Sequence, residues 1–257
     1  PPSDVVVCGT INGTRCAFLP RHGKGHVLTP SEVNYRANVW ALKSLGVKAI
    51  LSVSAVGSLR EKIEPGHLVC PDQFIDRTRG RASTFFGDGV VGHVQFGEPI
   101  EEAFRQIVLS VARQGEAVVH DGGCYVCIEG PTFSTKAESN LFRSWGGDIV
   151  GMTNLPEARL AREAEIGYAT LGLSTDYDCW RDGHDEVSVE AVIAIIQQNV
   201  KVAQNIIRGV CESLSDMGTF DWPAHHALGN GSAIITDRSL ISEEARTRLQ
   251  VVMGQYL

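Results

Sequence analysis

Nowhere in the 257 residues does an apolar run approach the ~20 that cross a bilayer, so nothing here reads as a membrane-spanning helix. No long basic run occurs either. Lys and Arg number 23 against 30 Asp and Glu, a net charge of -7 that argues against nucleic acid or an anionic membrane as the main partner. A few local groups can still bind an anionic small molecule. The opening Pro1-Pro2-Ser3-Asp4 has neither the basic start nor the apolar run of a secretory signal. Cysteines are seven, an odd number, and scattered, which fits a reduced, cytoplasmic protein better than a disulfide scaffold. Cys124 and Cys127 have the spacing of a redox or zinc pair, but "GCYVCIEG" reads as a strand whose period of two sends them to opposite faces. No second pair stands at zinc spacing. A Walker loop is missing, and "GKGHVL" falls one glycine short of a dinucleotide fingerprint. Without repeats, low-complexity stretches or a linker, residues 1–257 read as one domain.

What is present alternates between strand and helix. "VVVC" and "RCAFL" flank "INGT", whose Asn12-Gly13 is a hairpin turn signal. "TPSEVNYRANVWALKSLG" carries a helix start, with Thr29 as N-cap, Pro30 at the first helical position and Glu32 closing a capping box; Gly46 stops it. "VKAILSVSAVGSL", "GHLVCPDQFID", "GGCYVCIEG", "DIVGMT" and "IGYATLGLST" read as strands. Between them lie a helix in "STKAESNLFRSWGG", capped by Thr135 and Glu138, and another in "LPEARLAREAE". A long helix follows from about 188 to 208, with Val189, Val192, Ile193, Ile196, Val200, Ala203 and Ile207 on one face. The pattern predicts an α/β layered fold with a largely parallel sheet.

In such sheets ligands gather at the carboxyl ends of strands. "SVSAVGSL" offers Ser54, Ala55 and Gly57 there, "VGMTN" offers Met152 and Thr153, and "LPRHGKGH" adds Arg21 and His22. A basic side chain, hydroxyls and backbone N–H groups make an oxyanion or phosphate cradle. "STDYDCW" puts Asp176 and Asp178 at a strand end, flanked by Tyr177 and Trp180. That pair is open to three readings: a metal site, acceptors for a ligand's N–H groups, or a strand ending in water. His22 and His26 stand four apart, a helical metal-ligand spacing, but the glycines between them disfavour a helix.

In order, "RHGKGH", "PSEVNYRANVWALKSLGV", "SAVGSL", "PGHLVCPDQFIDRT", "STFFGDG", "IEGPTFSTKAES", "GMTNLPEARLAREAEI" and "STDYDCW" resemble the 5′-methylthioadenosine phosphorylases of the trimeric purine nucleoside phosphorylase group. The resemblance runs from about residue 21 to 208; the tail, 209–257, is only loosely similar, and its "SEEARTRLQ" reads as a capped helix that could cover a site. The family implies a mixed, barrel-like central sheet flanked by helices, a cytoplasmic homotrimer or dimer of trimers, and a nucleoside and phosphate as partners. It implies phosphorolysis with no metal or organic cofactor, inorganic phosphate being the co-substrate. The products implied are adenine and 5-methylthioribose 1-phosphate, in methionine and purine salvage.

The resemblance also implies roles. Arg21, His22, Ser54, Ala55 and Thr153 would hold phosphate; Met152 would pack under the ribose and Phe133 near the purine. Asp176 and Asp178 would accept from the exocyclic amine and from N7 as it is protonated, making them the catalytic pair. Val189 and Val192 would line an apolar 5′-methylthio pocket, and His93 would reach a neighbouring subunit. Two alternatives stand beside this reading: a 6-oxopurine nucleoside or methylthioinosine phosphorylase, which the aspartate pair disfavours, and a non-catalytic purine-binding paralogue. Two departures also stand: the family's glycine-rich phosphate turn is not found in the sequence, and Gly151 occupies a position where some relatives carry asparagine.

Overall fold

The computed structural model describes residues 1–181 and 189–257. Strands β1 (Val7–Ile11) and β2 (Thr14–Phe18) form the expected hairpin. Asn12 at φ 47° and Gly13 at φ 85° supply the two positive angles that such a turn needs. Helix α1 (Tyr35–Ser44) starts later than its sequence suggests. Thr29 and Glu32 do bond each other, Thr29 N donating to Glu32 Oε2 at 2.9 Å, but they close an isolated turn. The chain then buries Val33, and Asn34 becomes the true cap, accepting from Ala37 N at 3.2 Å. A local capping pattern lost to the need to bury an apolar residue.

Then come β3 (Ala49–Ser58), β4 (Leu68–Cys70), β5 (Gln73–Arg77), α2 (Glu102–Ala112), β6 (Val119–Asp121) and β7 (Cys124–Ile128). Next are α3 (Lys136–Ser144), β8 (Gly147–Gly151), α4 (Asn154–Glu163), β9 (Gly167–Asp176), α5 (Val189–Met217) and α6 (Glu243–Met253). The capping box of α3 forms as read, Thr135 with Glu138. So does the tail helix α6, capped by Ser242. "GHLVCPDQFID" splits at Pro71 into β4 and β5, because proline cannot donate to a ladder.

Seven strands form one mixed sheet in the order β5-β7-β8-β3-β9-β4-β6. Its two edges are joined by almost no chain. β4 ends at Cys70 beside one edge and β5 begins at Gln73 on the other; β6 and β7 are linked equally briefly, from Asp121 to Cys124. Such short links force the sheet to curl, which is the barrel-like form. At its centre β9 pairs in parallel with β3, from Ala49 opposite Gly167 to Gly57 opposite Asp176. β9 is buried from Gly167 through Thr175, as expected of a strand covered on both faces. β8 meets β3 only at Gly57 and Ser58, in the opposite direction, so its carboxyl end turns back along β3 toward Ser54.

The core gathers Leu68, Phe104, Leu109, Ile149, Tyr168 and Leu171, each essentially without exposure. Each such apolar side chain contributes roughly 1.5–3 kcal/mol relative to exposure. On α5 the buried face carries Ala203, Ile206 and Val210, whereas Val200, assigned to it from the sequence, is 40% exposed. A smaller cluster of Leu59, Val126, Phe142, Val150 and Trp180 lies under the end of β9. Trp180 Nε1 donates to Ser58 O at 2.8 Å and the Arg143 guanidinium stacks 3.6 Å over its ring, anchoring the segment after Asp176.

Candidate active site

Arg21 leaves β2 and turns its guanidinium toward β3. Nε and Nη2 each donate to Glu157 at 2.9 Å, a bidentate pair whose side chains are 17% and 9% exposed. Nη2 also donates to Ser52 Oγ at 2.6 Å, while Nη1 lies 3.5 Å from Ser54 Oγ. Burial works against the guanidinium charge, but the Glu157 carboxylate outweighs it and raises the arginine's pKa above its ordinary value. Glu157 Oε1 accepts a further bond from Tyr168 OH at 2.9 Å.

Ser54 is fixed from below by Asn154, whose Oδ1 accepts from it at 3.0 Å. Asn154 Nδ2 donates to Thr170 Oγ1 at 2.7 Å, and Thr170 Oγ1 donates to Ser52 O at 3.0 Å. Thr153 precedes α4 without making a side-chain cap, and its hydroxyl lies 3.4 Å from Ser54 Oγ. One arginine and two hydroxyls therefore converge, held by groups that satisfy one another. Ala55 beside them is exposed.

His22 is turned differently. Its Nδ1 donates to Leu28 O at 2.8 Å and its ring stacks on His26 at 4.2 Å. Burial lowers its pKa, so near neutral pH the ring is uncharged, with Nε2 as an acceptor. It can accept from the hydroxyl of hydrogen phosphate; a charge-assisted bond needs a proton first.

At the other end the register between β3 and β9 shifts, Val56 facing Ser174 and Gly57 facing Asp176. A Cβ on Gly57 would lie 3.0 Å from Asp176 Oδ1 and 3.1 Å from Val150, so a larger residue there would crowd the aspartate. Asp176 Oδ2 accepts from Thr175 Oγ1, and Oδ1 from Asp178 N, both at 2.7 Å. Burial raises the Asp176 carboxyl above its ordinary value, against the pull of these two bonds. Asp178 sits at φ 49°, and its carboxyl is raised too, chiefly by burial and also by the charge of Asp176. Ser139 and Ser134 lie near enough to oppose that rise, though neither closes a well-formed hydrogen bond to it. Asp178 Oδ2, Ser134 Oγ and Ser139 Oγ are all buried without a partner. The three lie close together, two hydroxyls beside a carboxylate, and form a buried polar cluster at the base end of the strand pair.

Met152 lies between the two ends, next to Thr153. Gly130, at φ 65°, makes room for it, since a Cβ there would be 2.4 Å from its Sδ. Phe133 is 43% exposed, and His93 is exposed with its backbone N–H donating to Ala233 O at 2.9 Å. The side chains of Val189 and Val192 lie outside the described residues. Gly151 has a clear reason to be glycine, because a Cβ would sit 2.0 Å from the Tyr125 hydroxyl. Among the described residues no three His, Cys, Asp or Glu side chains gather as a metal site. Cys127 packs its sulfur 3.5 Å from Leu155 O, away from Cys124. Sequence reasoning missed Glu157, Asn154 and Ser52. No local signal marks them, for each matters through a partner far along the chain.

The phosphorylase superfamily model matches residues 1–212. The chain is 54% identical, over its whole length and 88% of the relative's, to the S-methyl-5′-thioadenosine phosphorylase of Geobacter sulfurreducens. To that of Thermosynechococcus vestitus it is 50% identical, over all of this chain and 89% of the other. Among solved structures it resembles a methylthioadenosine phosphorylase from an antarctic soil metagenomic library, with a TM-score of 0.92 at 47% identity, covering 98% of this chain and 88% of that one. A methylthioadenosine phosphorylase from Schistosoma mansoni in complex with adenine matches with a TM-score of 0.81 at 36% identity, over 99% and 88% of the two chains.

Proposed function

The chain belongs to the phosphorylase superfamily, and we propose that it cleaves 5′-methylthioadenosine with inorganic phosphate, giving adenine and 5-methylthioribose 1-phosphate. The observation that supports this most is a hydroxyl-and-arginine cradle and a raised-pKa aspartate pair set along one strand pair, β3 and β9. Ser54 and Gly57, which mark the two ends, are three residues apart, or ~10 Å along a strand. A nucleoside with a phosphate against its C1′ fits that span.

In this reading phosphate lies against Arg21, Ser54, the Ala55 backbone and Thr153, with His22 accepting from its hydroxyl. It attacks C1′ as the bond to N9 breaks, and the bond's electrons pass into the purine. N7 then needs a proton. A carboxyl whose burial favours its neutral form is suited to supply one, and the resulting contact is strongest in the transition state. The aspartate pair also accepts from the exocyclic amine of adenine, a donor that a 6-oxopurine lacks. The unpaired hydroxyls of Ser134 and Ser139 add capacity on the same edge. Met152 packs under the sugar and Phe133 covers the purine, and the family resemblance assigns Val189 and Val192 to the methylthio group.

The same proposal extends to assembly and setting. A homotrimer would give the exposed His93 of one subunit a site on the next, and the enzyme would work in the cytoplasm without metal or organic cofactor. Purified protein, phosphate and four nucleosides test the reaction: 5′-methylthioadenosine, 5′-methylthioinosine, adenosine and inosine. Adenine release from the methylthio compound, dependent on phosphate and fastest of the four, is expected. Preference for the inosine compounds overturns the adenine assignment, and release from none overturns the function.

A further inference from the structure

Arg81 lies after β5, outside the cradle and the aspartate pair, yet its side chain is only 2% exposed. Its Nη1 donates to Met152 O at 2.7 Å, to Leu155 O at 2.8 Å and to the Tyr35 hydroxyl at 3.3 Å. Its Nη2 donates to Glu129 O at 2.6 Å. Nε faces Glu129 Oε2 at 3.4 Å without closing a hydrogen bond. The ring of Tyr35 lies 5.6 Å from the guanidinium carbon. Glu129 is held in turn by Arg79 N at 2.5 Å and by the Ser31 hydroxyl.

The three carbonyls belong to the turns that build the site. Glu129 follows β7 and begins the segment to Phe133 and Ser134, the base wall. Met152 and Leu155 follow β8 and bracket Thr153, the phosphate wall, just before Glu157, which holds Arg21. Glu129 and Met152 have passed the ends of their strands and Leu155 has non-helical backbone at the start of α4, where its carbonyl also accepts from Cys127 Sγ at 3.5 Å, so no strand ladder positions the three. Arg81 does so instead, with charge-assisted bonds from one rigid fork. The two walls already touch where Met152 meets Gly130, so the guanidinium sets how far apart they stand elsewhere.

We propose that Arg81 is the positioning residue of this site, fixing the sugar-and-phosphate wall against the base wall without touching substrate. The inference rests on the reaction proposed above. Lysine keeps the charge but presents a single ammonium, which cannot reproduce the fork. A misplacement of ~1 Å in such a site costs on the order of 10²-fold in rate.

The test compares the parent chain with Arg81→Lys and Arg81→Ala, all in phosphate-dependent adenine release from 5′-methylthioadenosine. Both variants are expected to lose about 10- to 100-fold in kcat while keeping a KM for phosphate near the parent's. Methylguanidinium, at a concentration that leaves the parent unchanged, should restore part of the activity of Arg81→Ala. Amide hydrogen exchange in 129–133 and 152–156 should be faster in Arg81→Lys, with the rest of the chain protected as before. Parental kcat in both variants overturns the inference. So does a loss that only tracks the unfolded fraction, with no rescue. If the parent itself releases no adenine, the reaction is what fails, and exchange at those two segments still decides whether Arg81 ties them.

Discussion

The two ends of the site are built on opposite principles. At the phosphate end the polar groups are paired: Arg21 with Glu157, Glu157 with Tyr168, Ser54 with Asn154, Asn154 with Thr170. At the base end three buried oxygens on Asp178, Ser134 and Ser139 have no partner, and both carboxyls are pushed up by burial. The first end is charge-compensated before any ligand arrives, so a buried arginine persists without distorting its surroundings. The second is incomplete by itself, and a ligand with donors on its edge would complete it. Rigidity at one end holds the nucleophile; the aspartate pair and its neighbouring hydroxyls at the other select the base.

The largest effect should come from breaking the base end. Asp176→Asn replaces an acidic acceptor by an amide, and adenine release is expected to fall by at least ~10²-fold, as loss of a general acid or of a base-edge acceptor requires. Steady-state rates with 5′-methylthioadenosine check it. Next is Glu157→Gln, which leaves the buried Arg21 without its countercharge, at a cost of about 3 kcal/mol. In thermal unfolding the midpoint should drop by on the order of 10 °C. Added phosphate should then stabilise the variant more than the parent, because an anion replaces what was removed.

A smaller effect is a dependence on pH. Asp176 and Asp178 have folded pKa values raised above the ordinary 3.8, so the folded chain binds more protons there than the unfolded one. Their contribution to stability is therefore present at low pH and lost as pH rises through the raised values. Unfolding midpoints of Asp178→Asn should gain on the parent's as pH climbs from about 4 toward neutrality, and a constant gap would contradict the raised pKa. Between the two ends, Gly151→Ala should cost about 1–3 kcal/mol through its clash with Tyr125. Tyr125→Phe removes the hydroxyl but leaves the ring carbon that carried it 2.6 Å from the added Cβ, so it should relieve only part of the clash, and alone it should change stability by less than about 1 kcal/mol. Denaturant titrations of the single and double variants distinguish these.

How much of this was legible in the sequence follows the range of the interactions. The Asn12-Gly13 hairpin and the Thr135–Glu138 box were readable because each is closed by residues one to three apart. Asp176 and Asp178 were readable as a strand end for the same reason. The Thr29–Glu32 pattern was equally local and misled, since tertiary burial of Val33 decided where α1 begins. Helix α2 went unread although Phe104, Val108, Leu109 and Ala112 have helical spacing; its cap is Glu101, which gives no ordinary start signal. Glu157 is 136 residues from Arg21, and Arg81 is 71 and 74 from two of its carbonyl partners; only the folded sheet joins them. The family resemblance brought the candidate residues together, and the geometry adds the partners that hold them.

The most direct test of this division sets Glu157→Gln beside Asp176→Asn. For each, the KM for phosphate is measured together with the ratio of kcat/KM for 5′-methylthioadenosine over 5′-methylthioinosine. Glu157→Gln is expected to shift the phosphate KM and leave the ratio at the parent's value, while Asp176→Asn collapses the ratio and leaves the phosphate KM. Both variants moving the same quantity would contradict it.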